Sequence, residues 1–202
     1  MSWIKTITYE AATGRLKKLY DRVKGPDNNV DNIMMAHSLR PHTMEGHMAL
    51  YKYVLHHTGN TLSKSFLEML GVWVSLLNDC EYCHEHHFAG FTRLMDDPKR
   101  AAEMGNAMLA RDIASPIFTV REREALLYAQ ELTERPAGLT AERLDPLRAA
   151  GFTDGEILEI NQVSAYFSYA NRTVLGLGIS TEGDVLGLSP GNSEDANDWS
   201  HS

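Results

Sequence analysis

The chain has 202 residues, 19 Lys plus Arg against 27 Asp plus Glu for a formal net charge of −8, and 43% apolar residues. This is globular composition, with length for one domain and one sizeable core. The acidic balance disfavours a nucleic-acid binder, which needs a basic face for phosphate; no apolar run nears the ~18 residues of a membrane span, and the start, MSWIKTITYE, has no apolar signal core, so a soluble, cytoplasmic protein is expected.

The apolar period is helical almost throughout, which predicts an all-α, single-domain bundle. A first helix is expected over Glu10 to Val23, with Leu16, Leu19, Tyr20 and Val23 on one face, followed by a Gly/Pro/Asn loop over Lys24 to Asp31. Pro41 suits a first helical position and opens a helix to about His57. The segment Ser63 to Leu77 is apolar nearly all round and therefore buried, with one acid, Glu68, inside it. Asn78 with Glu81 three residues on resembles a capping box for a helix running through the cysteines to about Met95.

Asp97-Pro98 starts the next helix. Thr119 with Glu122 caps another, ended by Pro136 and Gly138. A short helix from Thr140 stops at Gly151, and Thr153 with Glu156 caps a last long one through about Leu175. The domain is expected to span residues 1–180, and the Gly-, Ser-, Asn- and Asp-rich residues 181–202 to form a polar arm or a disordered tail.

The chemistry concentrates in residues 63–95. The two cysteines, Cys80 and Cys83, form a C-x-x-C pair, which in a reducing compartment points to catalysis or metal binding more than to structure. At helical spacing Cys80, Cys83, His84 and His87 share one face. Cys80 falls in the first turn, where unpaired N–H groups and the helix dipole favour a thiolate. If the two helices form an antiparallel hairpin turning at Asn78, Glu68 and His87 are equidistant from the turn and face each other. A carboxylate in an apolar helix is costly unless paired, and a carboxylate–imidazole pair can relay protons to a sulfur.

The spacing E-x11-C-x2-C-x3-H, from Glu68 through Cys80 and Cys83 to His87, resembles the signature of the alkylhydroperoxidase D-like branch of the carboxymuconolactone decarboxylase family, and most of all its peroxidase-related proteins. A late helix ending Tyr169-Ala170-Asn171-Arg172, followed by Leu-Gly, agrees; the similarity covers about Pro41 to Gly178. The resemblance implies a hydroperoxide reductase without haem, metal or other cofactor, with Cys83 peroxidatic, Cys80 resolving, and Glu68 and His87 as proton relay. It implies a hydroperoxide substrate, a thiol reductant (a protein or a small thiol), and a homo-oligomer: dimer, trimer or hexamer. Where well-known alkylhydroperoxidases carry a relay histidine between the cysteines, this chain has Tyr82, as peroxidase-related members often do. Tyr82 and His84 are secondary site candidates.

Two alternatives stay open at this level: a zinc site on Cys80, Cys83, His84 or His87 and Glu68, and a redox-regulated binding protein whose disulfide switches a surface without turnover. The histidines at 37, 42, 47, 56 and 57 are expected at the surface or an interface, and Trp3 and Trp73 in the core or an interface. Met34, Met35 and Met44 are candidate lining for an apolar peroxide pocket.

Overall fold

The computed structural model describes residues 2–195 and 197–199. Its α-helices are α1 (Gly14–Val23), α2 (Asn32–Ala36), α3 (Pro41–Leu55), α4 (Lys64–Leu77), α5 (Glu81–Leu94), α6 (Pro98–Leu109), α7 (Val120–Glu134), α8 (Asp145–Ala149) and α9 (Asp154–Leu177). Two 3₁₀ turns, Pro136–Gly138 and Ala141–Leu144, link α7 to α8. Among the described residues no β-strand forms, and no helix is long and apolar enough to cross a membrane.

Local chemistry sets most helix starts. Thr119 and Thr153 each close a capping box, with Glu122 and Glu156. The Asp97 side chain accepts from Arg100 N–H and Ser63 from Phe66 N–H. The first helix begins four residues later than its apolar pattern suggests, because Thr13 is extended and takes the cap position. The five-residue α2 is too short to show a period.

Helix α4 is the axis of the bundle and packs against α5, α7 and α9. Leu67 through Ser75 are all buried, and each large apolar side chain among them contributes roughly 1.5–3 kcal/mol. The Trp73 indole N–H donates to the Leu126 carbonyl at 3.0 Å, which satisfies the polar end of a fully buried ring. Gly71 lets α9 come close, since a Cβ there would lie 2.2 Å from the Phe167 ring.

The turn between α4 and α5 differs from expectation. Asn78 is the C-cap of α4, not the N-cap of α5; its amide donates to the Val74 carbonyl and to Asn171 Oδ1, each at 3.0 Å. Asp79 takes the left-handed conformation (φ 52°), Asp79 N–H donates to Leu76 O at 3.1 Å and Cys80 N–H to Ser75 O at 2.9 Å. That pair of bonds is a Schellman motif with Asp in place of the usual Gly. It competes for Asn78 and wins because α4 has orphan carbonyls to satisfy. Cys80 is thereby left as the N-cap of α5, with no side-chain cap bond.

Three histidines depart from the surface expectation. His37, His47 and His56 are buried, because α2, α3 and the residues after α3 pack inward. Trp73 lies in the core, whereas Trp3 is 78% exposed with its indole against Gly178. Beyond α9 the chain continues as a helix-free arm over the described part of 181–202; positions 196 and 200–202 of that expected tail lie outside the described residues.

Candidate active site

The α4–α5 hairpin places Glu68 and His87 side by side. Glu68 Oε2 lies 2.7 Å from His87 Nδ1, with the Glu68 side chain 2% and that of His87 15% exposed. The pair answers the problem Glu68 poses: an unpartnered carboxylate at that depth costs several kcal/mol, comparable with the gain from burying two neighbouring leucines. Hydrogen-bonding Nδ1 to the carboxylate orients the ring and leaves Nε2 for proton exchange. The Phe167 ring meets the imidazole edge-on at 4.5 Å, and Tyr51 does so at 6.0 Å.

Glu68, Cys83 and His87 line one cavity of about 60 Å³. Tyr51, Tyr82, His47, Tyr166 and Met34 add to its walls. Of the other two methionine candidates, Met44 is fully buried in the core and Met35 packs against the core instead. His47 sits 3.5 Å from the Tyr166 hydroxyl through Nε2, and burial lowers its pKa to about 3, so it is neutral at neutral pH.

Cys80 and Cys83 are free thiols, buried at 1% and 2% exposure. Their hydrogen bond divides the pair. The Cys83 thiol donates to Cys80, which lowers the Cys80 pKa and raises that of Cys83. The N-cap position of Cys80 favours the same direction. The buried Asn171 amide pulls both thiol pKa values downward and donates to Ser75 Oγ at 3.1 Å.

The four residues expected on one face are split between two sides of the helix start. Cys83 and His87 line the cavity, while Cys80 and His84 line a separate cleft with Ser75, Leu76, Asp79 and Glu81. His84 stacks on Phe88 at 5.7 Å and 15°, and burial lowers its pKa. Among the described residues no group of three or more His, Cys, Asp or Glu side chains is arranged to hold a metal ion. The Tyr82 hydroxyl is engaged away from the Glu68–His87 pair: it donates to Asp184 Oδ2 at 2.7 Å and accepts from Ile33 N–H at 3.1 Å.

Several site residues were not visible in the sequence reading. Asn171 stood only as part of a family-like Asn-Arg element. Tyr51, His47 and Tyr166 had only helical spacing to mark them, and that is also the mark of core. Asp184 and Trp199 come from the arm, whose composition gives no sign that it returns to the cysteines.

The structure is an all-helical bundle that sets a Glu–His pair beside a C-x-x-C dithiol. No protein-family model matches the chain, and no curated protein matches it. Solved structures do. An alkylhydroperoxidase AhpD-core, peroxidase-related protein from Ralstonia eutropha JMP134 is 22% identical at TM-score 0.77, over 89% of this chain and 91% of its own. A peroxidase-related protein from Silicibacter sp. TM1040 is 26% identical at TM-score 0.66, over 73% and 74%. The debrominase Bmp8, as a Cys-to-Ala variant in complex with 2,3,4-tribromopyrrole, is 17% identical at TM-score 0.69, over 91% and 95%. The chain has the AhpD-like fold, and these likenesses support an AhpD-like, peroxidase-related family.

Proposed function

We propose that the chain is a cysteine-based hydroperoxide reductase, carried by one observation: Cys83 opens into the same small cavity as the Glu68–His87 pair. Cys83 is the attacking sulfur, Cys80 resolves, and Glu68 with His87 moves the proton. His87, one turn along α5 from Cys83, takes a proton from the dithiol. At rest Cys80 is the more acidic sulfur, so Cys83 attacks only as its own proton passes to His87; its sulfur then takes the outer peroxide oxygen and the O–O bond breaks, giving Cys83 sulfenic acid and an alkoxide that His87 protonates. The Cys80 thiol then displaces the hydroxyl, which leaves with the thiol proton as water. The sum is two thiols and one hydroperoxide giving a disulfide, an alcohol and water. An external dithiol reopens the disulfide by exchange, and Cys80, at the wall of the other cleft, is the sulfur offered to it.

Residues 1–180 form the catalytic domain in this proposal, and copies associate. Exposed Trp3, Leu50, Tyr53, Tyr169 and Leu175 supply apolar surface for a homo-oligomer. The dithiol cycle suits the reducing cytoplasm. A second reading, reductive removal of halogen from an aromatic ring, is favoured by the aromatic wall of Tyr51, Tyr82, Tyr166 and Trp199 and requires that wall to open, since the closed cavity holds about 60 Å³. The test is consumption of hydrogen peroxide by purified protein with dithiothreitol, with a parallel arm on 2,3,4-tribromopyrrole. Wild type turns over peroxide and Cys83→Ser falls to the uncatalysed rate; equal rates for the two contradict the proposal, and bromide release without peroxide loss favours the second reading.

A further inference from the structure

The arm after α9 returns to the cavity and is fastened there by polar contacts to four helices, α2, α3, α4 and α5. Asp184, with its side chain 2% exposed, accepts from Asn32 N–H at 3.1 Å and from the Tyr82 hydroxyl at 2.7 Å, and lies 3.2 Å from His86 Nε2. Gly187 (φ 78°) lies so close to α5 that a Cβ would stand 3.2 Å from the backbone of Ala89 and Gly90. Lys64 donates to Ser189 Oγ at 3.3 Å and to the Pro190 carbonyl at 3.1 Å; Arg93 donates to Ser189 Oγ at 3.2 Å, and Lys52 to the Gly191 carbonyl. Residues 181–202 hold five acids and no Lys or Arg; the three cations donate to neutral oxygens of the arm, and Asp195 and Asp198 favour the charged form of Lys52.

Past these anchors the arm becomes cavity wall. Leu188, Ser189, Pro190 and Trp199 line the space above Cys83; Trp199 is 5% exposed, with its ring 5.7 Å from that of Tyr51. With the arm in place the cavity holds about 60 Å³. An apolar cavity of about 150 Å³ holds a benzene ring, and one water needs about 10–15 Å³ of such space, so the cavity suits a ligand of a few heavy atoms and is too small for an aryl ring.

We infer that the arm is a strap that sets the size of peroxide reaching Cys83: hydrogen peroxide and short-chain alkyl hydroperoxides enter, while aryl and long-chain hydroperoxides are excluded until the strap lifts. This rests on the peroxide reading above and adds its substrate class. The chemistry is the balanced two-thiol step already given, with dithiothreitol as reductant. A strap that only stabilised the bundle would not discriminate by size.

The experiment compares wild type, Trp199→Ala and a chain ending at Ser180. Two ratios are read: hydrogen peroxide against cumene hydroperoxide consumption, and alkylation of Cys83 by iodoacetamide against fluorescein maleimide, located by peptide mass. Small-pocket discrimination is worth about 10-fold or more, so both variants should shift both ratios toward the bulky reagent by about that factor. Unchanged ratios in Trp199→Ala, with its helical signal intact, overturn the strap even if the shortened chain fails to fold. If fluorescein maleimide gains access while no form consumes any peroxide, the strap stands and the peroxide reading fails.

Discussion

The floor and the roof of the Cys83 cavity are held by different physics. The floor is the α4–α5 hairpin, fixed by a Schellman turn, a fully apolar helix face and a buried Glu68–His87 pair. The roof is an irregular arm fixed by hydrogen bonds that Asp184, Ser189, Pro190 and Gly191 accept from the helices. Breaking the floor means unfolding the core. Releasing the roof means exchanging a handful of polar contacts for water, each worth only about 0.5–3 kcal/mol net, and withdrawing one buried indole, Trp199, from Tyr51. Cys83 thus sits on a core-packed base beneath a cover held largely by polar contacts.

The comparison breaks hardest at Glu68. Glu68→Gln keeps the shape and the packing but removes the proton relay, so the rate of peroxide reaction at Cys83 should fall about 10²–10⁴-fold, measured by stopped-flow thiol oxidation. A rate within a few-fold of wild type would make Glu68 a structural partner only.

The next effect is acid sensitivity of the α2–α3 side of the cavity, which packs between floor and roof. His47 has an ordinary pKa of 6.5, lowered to about 3 by burial. Between those values the unfolded chain binds a proton that the folded chain does not. Stability therefore rises with pH through this window, is complete above it and is lost toward pH 3. From pH 7 to pH 4 the loss from His47 is up to about 3 kcal/mol. Buried His37 and His56 shift in the same direction. Urea midpoints at the two pH values should converge in His47→Gln; an unchanged gap would place the acid sensitivity elsewhere.

Two glycines sharpen the contrast. Gly71→Ala drives a methyl into the Phe167 ring and should cost about 1–3 kcal/mol of global stability. Gly187→Ala strains a positive φ against the α5 backbone and should cost about 1 kcal/mol or more of local strain, seen as faster hydrogen exchange in the arm and not in α4. Equal protection loss in both regions would show that roof and floor open as one unit.

The same division governs what the sequence could reveal. The floor was legible because each of its parts has a local signature. Two capping boxes, Pro at the first position of α3 and α6, and one acid in an apolar helix each state a physical problem with few solutions. Glu68 and His87 could be matched from their equal distance to the turn. Even there the turn itself was misread, because Asn78 can serve either helix and only the Schellman bonds of Asp79 and Cys80 decide between them. The roof was illegible because it has no period. Asp184, Ser189 and Trp199 find partners far along the chain, and nothing near them announces those partners. His47 and Tyr166 were hidden for another reason: a buried polar ring at helical spacing looks like any core position.

The central claim is that Cys83, above the Glu68–His87 pair, is the sulfur that meets peroxide. The most direct measurement is the mass of each cysteine peptide after one equivalent of hydrogen peroxide without reductant. Wild type should lose two thiols to a single Cys80–Cys83 disulfide, and Cys80→Ser should carry sulfenic or higher acids on Cys83. Oxidation of Cys80 in Cys83→Ser, with Cys83 inert in Cys80→Ser, would contradict the account and give the attacking role to the sulfur at the helix cap.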